Sequence, residues 1–180
     1  MPTIFKISRL VVVAATLIGF TLPGAAQQPG GTDVQRQAMQ KLAFLIGHWS
    51  GPVTIIRGPG ESLKLTQTEN IQFKLDGLVL LVEGQSTDKD GKVSFSALAT
   101  ISFDETTHAY RIRAYHDGHY VDTELVPAAG GFSWSFDSGP AHVANTMHLT
   151  DKNEWSETTD VTFGANPPMH SVDMLLAHQP

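Results

Sequence analysis

Val93-Ser-Phe-Ser-Ala-Leu-Ala-Thr-Ile-Ser-Phe103 changes character with every step along the chain. Val93, Phe95, Ala97, Ala99, Ile101 and Phe103 share one parity, and Ser94, Ser96, Thr100 and Ser102 share the other. Extended backbone sends successive side chains to opposite faces, so this spacing predicts a strand packed on one side and wet on the other. The same period recurs on both sides of the stretch. Leu63, Leu65, Ile71, Phe73 and Leu75 alternate with Lys64, Thr66, Thr68, Asn70, Gln72 and Lys74. Phe132, Trp134 and Phe136 alternate with serines, and Trp155, Thr159, Val161 and Phe163 alternate with Ser156, Thr158, Asp160 and Thr162.

Turn formers separate these runs: Gly58-Pro59-Gly60, Asp76-Gly77, Asp90-Gly91, Asp117-Gly118, Gly130-Gly131, Gly139-Pro140 and Asn166-Pro167-Pro168. Such residues supply the left-handed or fixed φ values that tight reversals need. The spacing predicts nine or ten short antiparallel strands. Only one helix is expected, over 33–46. Thr32 and Gln35 have capping-box spacing, and Val34, Ala38, Leu42, Leu45 and Ile46 form one helical stripe that stops at Gly47. With one helix to cover them, the strands must cover each other. A sandwich would do so, but an up-and-down β-barrel also removes exposed edges. The predicted fold is therefore an all-β antiparallel barrel of about ten strands behind one N-terminal helix.

The 180 residues suit one domain. A formal charge of −6 argues against a nucleic-acid partner, which calls for a basic face. With no cysteine, disulfides, thiolate metal sites and cysteine nucleophiles are excluded. Residues 1–26 read as a secretory signal peptide. Lys6 and Arg9 precede an apolar run from Leu10 to Leu22, then Pro23 and the small residues Gly24-Ala25-Ala26. The run is shorter than the ~20 residues of a membrane span, so no stable membrane insertion is expected after cleavage. Removing this segment takes two basic and no acidic residues, leaving a charge of −8 and an exported protein, periplasmic or extracellular. Residues 27–31 read as a disordered lead-in, and 32–180 as the barrel domain.

The segment Leu42-Ala-Phe-Leu45-Ile-Gly47-His-Trp49-Ser-Gly51 has the pattern Leu-x-x-Leu-x-Gly-x-Trp-x-Gly. It resembles the start of calycin barrels: lipocalins, fatty-acid-binding proteins and nitrobindin-like haem proteins. It is most similar to a group of bacterial calycin-like domains. Leu75-Asp-Gly77-Leu-Val-Leu-Leu-Val-Glu83-Gly84 and Phe103-Asp104-Glu-Thr-Thr-His-Ala-Tyr110-Arg111 also resemble that group. The resemblance implies a barrel with an internal cavity, with Trp49 plugging one end against the helix. It does not choose the ligand.

Polar residues that share the apolar parity are the informative ones, because a buried polar group is costly without a partner. Gln67 and Glu69 lie between Leu65 and Ile71 on the inward parity, and Glu157 lies between Trp155 and Thr159. The small residues Ala97, Ala99 and Ala114 should leave room inside. Of the eight histidines, His116 and His119 flank the Asp117-Gly118 hairpin and should meet on the inner rim. His170 shares parity with Val172, Met174 and Leu176 and should also face in. His116 and His119 near a carboxylate would suit a transition metal. Nitrobindin-like proteins hold haem iron through a histidine; His170 matches no motif of the resemblance, and its inward parity makes it the position to test for that role. The third alternative, no cofactor at all, leads.

These residues predict a small-molecule-binding barrel. Leu65, Phe73, Phe95, Ile101, Tyr110, Ile112, Trp134, Trp155 and Met174 would supply apolar contact to a hydrophobic or amphipathic ligand, with Glu69, Glu157 and His116 as polar anchors. The runner-up is a cavity enzyme, an isomerase, cyclase or hydrolase, using Glu157 or Glu69 with His116 as acid–base groups.

Overall fold

The computed structural model describes residues 30–180. The signal peptide expected over 1–26 and positions 27–29 of the lead-in lie outside the described residues. Gly30, at the other end of that lead-in, is the N-cap of the helix, and Gly31 is its first residue.

Ten strands follow the helical segment: β1 (Gly47–Gly58), β2 (Glu61–Lys74), β3 (Val79–Thr87), β4 (Val93–Asp104), β5 (Ala109–His116), β6 (His119–Ala128), β7 (Gly131–Ser138), β8 (Ala141–Leu149), β9 (Trp155–Phe163) and β10 (Met169–Gln179). Each pairs with its sequence neighbours, and β10 pairs with β1, so the sheet closes into an up-and-down barrel. Closure leaves no unpaired edge, which suits strands with little helix among the described residues to cover them.

Local chemistry makes the reversals. Asp117 and Gly118 both take positive φ, 46° and 75°, as a two-residue type I′ hairpin demands, and His116 pairs with His119 across it. Two turns carry no glycine or proline. In 105–108, Asp104 Oδ1 accepts from the Thr106 N–H at 2.8 Å, and His108 takes φ 54°. In 150–154, Thr150 Oγ1 accepts from the Lys152 and Glu154 N–H groups, and Asn153 takes φ 57°.

The helix is shorter than its stripe suggests. α1 runs Gly31–Gln40, and a 3₁₀ turn follows at Ala43–Leu45. Thr32 lies inside α1 and does not cap it. Ile46 is extended and 37% exposed, outside the helical stripe, because the chain must straighten to enter β1. Ala38, Met39, Leu42 and Leu45 are buried against the barrel. Tyr110 Oη donates to the Ala38 carbonyl at 2.7 Å, and Arg36 Nε donates to the Asp76 carbonyl at 2.9 Å. These contacts seat the helix over the end of the barrel that carries the β2–β3 and β4–β5 turns.

Trp49 completes that end. It is 3% exposed and donates Nε1–H to the Leu45 carbonyl at 2.8 Å. Its ring meets Trp155 edge-on at 5.9 Å and His178 at 4.9 Å. Gly47 enters β1 at φ +128°, and a Cβ there would collide with Nε2 of the His178 ring, so a side chain has neither the backbone freedom nor the space. An up-and-down topology puts the β1–β2, β3–β4, β5–β6, β7–β8 and β9–β10 turns at the opposite end, which no helix covers among the described residues.

Leu75 and Val93 are among the positions that leave the inward parity. Leu75 sits in the β2–β3 turn at φ 49° and is 72% exposed. Val93 is exposed because the β3–β4 register shifts between Ser86 and Thr87. Among the described residues, no helix is long and apolar enough to cross a membrane.

Candidate functional site

The barrel is hollow above its plug. Ala97, Ala99, Ala114 and Gly84 present little or no side chain to the interior, and a cavity of about 720 Å³ results. Phe95, Ile101, Ile112, Trp134, Trp155 and Met174 line it with apolar surface. Its mouth, bordered by Tyr115, His116, His119, Tyr120, Asp137 and Ser138, lies at the uncovered end.

Two polar groups of residues interrupt the apolar wall. On β2 and β3, Ser86 Oγ donates to Gln67 Oε1, and Gln67 Nε2 donates to Glu69 Oε1 at 2.7 Å. On β8 and β9, Trp155 Nε1 donates to Glu157 Oε2 at 2.9 Å, and Thr159 Oγ1 donates to Asn145 Oδ1 at 2.7 Å. One atom of each group is left over: Glu69 Oε2 and Asn145 Nδ2 are covered by protein and find no hydrogen-bond partner among the described residues. Orphaned buried polar atoms are uncommon because each forfeits its hydration, so each asks for a reason.

Electrostatics follow from that burial. Loss of water raises the Glu69 carboxyl from 4.5 to about 7; the Gln67 hydrogen bond opposes the rise, and the charge of Glu157 adds to it. Burial likewise lifts Glu157 from 4.5 to about 7, against the stabilising Trp155 N–H. Near neutral pH both groups are poised between carboxylic acid and carboxylate.

The predicted residues divide on inspection. Glu69, Glu157, His116, Phe95, Trp134 and Trp155 all line the cavity. Tyr110 does not: it points at the helix, where its hydroxyl is bound to Ala38. Leu65 and Phe73 also lie off the cavity wall, Leu65 buried and Phe73 packed on the core cluster.

His116 stands at the mouth, exposed, its ring 4.2 Å from Phe95. Its Nδ1 is 2.9 Å from the Ser96 carbonyl and its Nε2 is 3.2 Å from the Asp117 carboxylate. No hydrogen bond joins it to Glu69 or Glu157, so the expected acid–base partnership is not formed. His119 lies opposite at the mouth, but among the described residues no three His, Asp or Glu side chains gather as metal ligands.

His170 is on the outer wall. A register shift between His170 and Val172 reverses the parity there, so Val172 and Met174 line the cavity while His170 faces out. Both its ring nitrogens are occupied, Nδ1 by Asp160 and Nε2 by Asp173, each at 2.9 Å. A haem held through His170 does not fit this barrel.

Asn145, Ser86 and Gly84 join the site only in the folded barrel. The signal existed for Asn145, which shares the parity of Val143 and Met147. Gly84 shows its purpose only in three dimensions. It pairs with Glu69, and a Cβ there would stand 2.8 Å from both carboxylate oxygens.

No family model and no curated protein matches the chain. Among solved structures it is similar to the crystal structure of Rv2717c from M. tuberculosis, at 13% sequence identity and a TM-score of 0.61, over 79% of this chain and 98% of that one. That likeness is one of fold. A closed ten-stranded antiparallel barrel is compatible with the calycin resemblance of the Leu42–Gly51 segment.

Proposed function

We propose that this chain is an exported, calycin-like carrier that holds one small apolar or amphipathic molecule inside its barrel. The observation that carries the reading is the cavity: about 720 Å³, walled mainly by aromatic and aliphatic side chains, open at one end and stoppered at the other by Trp49 and the helix. Ligand pockets fall at roughly 300–1,000 Å³ with mostly apolar walls and a few convergent polar groups. Glu69, Glu157 and Asn145 are those groups. Export rests on the apolar run Leu10–Leu22 and the small residues that follow it.

The test is uptake of the neutral dye Nile red. The expected result is saturable binding at one dye per barrel, abolished by Ala97→Trp, which fills the cavity from a wall position with no side chain to spare. Far-UV circular dichroism checks that the variant keeps its strands. Equal dye binding by the folded Ala97→Trp protein would place the dye elsewhere and overturn the reading. Intact mass of the protein recovered outside the cytoplasm tests export: cleavage near Ala26 is expected, and retention of the full chain in the cytoplasm contradicts it.

A further inference from the structure

Away from its mouth, the cavity's ionisable carboxylate and imidazole groups are acids alone. Besides Glu69 and Glu157, the ionisable carboxylate and imidazole groups on its wall are Asp137, His116 and His119, all at the mouth. No lysine or arginine lines it among the described residues. The groups bonded to the two carboxyls, the Gln67 amide and the Trp155 indole, are neutral donors. A ligand with a carboxylate or phosphate head would therefore meet two acids and no compensating cation. Unpaired like charges at short range inside a protein are strongly unfavourable.

The orphan atoms give the complementary half of the pattern. With Glu69 ionised, its Oε2 is an acceptor without a donor from the protein, and Asn145 Nδ2 is a donor without an acceptor. Asn145 is 7% exposed and stands diagonal to Glu157: Asn145 pairs with Thr159, and Met147 pairs with Glu157. Its Oδ1 is already held by Thr159, which fixes the amide with Nδ2 as the free end. A head that satisfies all three must donate to the acids and accept from the amide.

We propose that the ligand is a lipophilic amino alcohol: an apolar body along the aromatic wall, an ammonium held by Glu69 and Glu157, and a neighbouring hydroxyl oxygen accepting from Asn145. This rests on the carrier reading and narrows it to a ligand class. The empty barrel avoids a buried double negative charge because both acids keep protons readily. An arriving ammonium stabilises their ionised forms, and the released proton leaves to solvent. Charge-assisted hydrogen bonds in a dry site are stronger than neutral ones, so the ammonium dominates selectivity.

Displacement of Nile red at pH 7.5 by four molecules with comparable apolar tails tests this: decanoate, decan-1-ol, decylamine and 2-aminodecan-1-ol. The expected order of affinity is the amino alcohol, the amine, the alcohol, then decanoate, with roughly tenfold between amine and alcohol. Glu157→Gln and Glu69→Gln are expected to erase the amine's advantage over decan-1-ol, with far-UV circular dichroism showing the variants to be folded. Asn145→Leu is expected to bring the amino alcohol down to the level of the amine. Decanoate or decan-1-ol binding as tightly as decylamine to the unaltered protein would overturn the proposal and leave the carrier reading standing. If Nile red is not taken up at all, the carrier reading itself fails.

Discussion

Gly84 faces Glu69 across the β2–β3 ladder, and the carboxylate of Glu69 occupies the space a side chain at position 84 would need. Glycine in mid-strand is ordinarily unfavourable by about 0.5–1 kcal/mol relative to alanine. Here it makes room for a buried acid. Gly84→Ala is expected to push the carboxyl off the Gln67 amide and lower decylamine affinity roughly tenfold, while decan-1-ol binding changes little. Dye displacement measures both. Undiminished amine affinity together with a raised melting temperature would mean that Glu69 does not depend on that space.

The two raised carboxyls make stability depend on pH in a defined direction. Between the unfolded value of 4.5 and the folded value of about 7, the native barrel binds more protons than the unfolded chain. Their contribution is fully present below about pH 4.5 and is lost as pH rises through 7. Each group accounts for roughly 3 kcal/mol at most. Asp104 and Asp122 are shifted down, Asp104 by the Thr106 and Thr107 N–H groups and Asp122 by Arg113 and Arg111, so they withdraw stability only in stronger acid. Urea unfolding is therefore expected to show the empty barrel more stable at pH 5 than at pH 8, with Glu157→Gln flattening the difference. An unchanged slope in that variant would remove Glu157 from the account.

Much of this architecture is legible in the residues because period-two alternation is set by covalent geometry, whatever surrounds it. The parity of Phe95, Ala97 and Ala99 locates the inner wall, and the same reading brings Glu69 and Glu157 to it. The failures fall where alternation is interrupted. At His170 a one-residue register shift turns the side chain outward, and no residue type at that position signals it. Tyr110 obeys the inward parity, yet it lies near the plugged end, and a strand pattern says nothing about height along the barrel. The turns at 105–108 and 150–154 escape a search for glycine and proline because Asp104 and Thr150 close them with side-chain oxygens.

Tyr110 anchors the helix. Its hydroxyl donates to the Ala38 carbonyl from within the core, 72 residues away in sequence. Tyr110→Phe removes that bond and strands a buried carbonyl, so a loss of about 1–2 kcal/mol is expected in denaturant unfolding. Nile red affinity should stay unchanged, because the ring does not reach the cavity. A fall in dye affinity without a fall in stability would contradict this placement.

His170 is held between Asp160 and Asp173 on the outer wall, and these carboxylates, Asp160 first, raise its imidazole above the usual 6.5. The protonated ring satisfies both acids at once, so its contribution to stability is present below 6.5 and fades as pH climbs through the raised value. The site is exposed and screened, and its energetic weight is correspondingly small. Proton NMR titration is expected to place the His170 ring above an ordinary histidine, and Asp160→Asn to bring it down. His170→Asn should leave Nile red and decylamine binding as they were. Loss of ligand affinity in that variant would return His170 to the cavity and reverse the register shift on which its outward position depends.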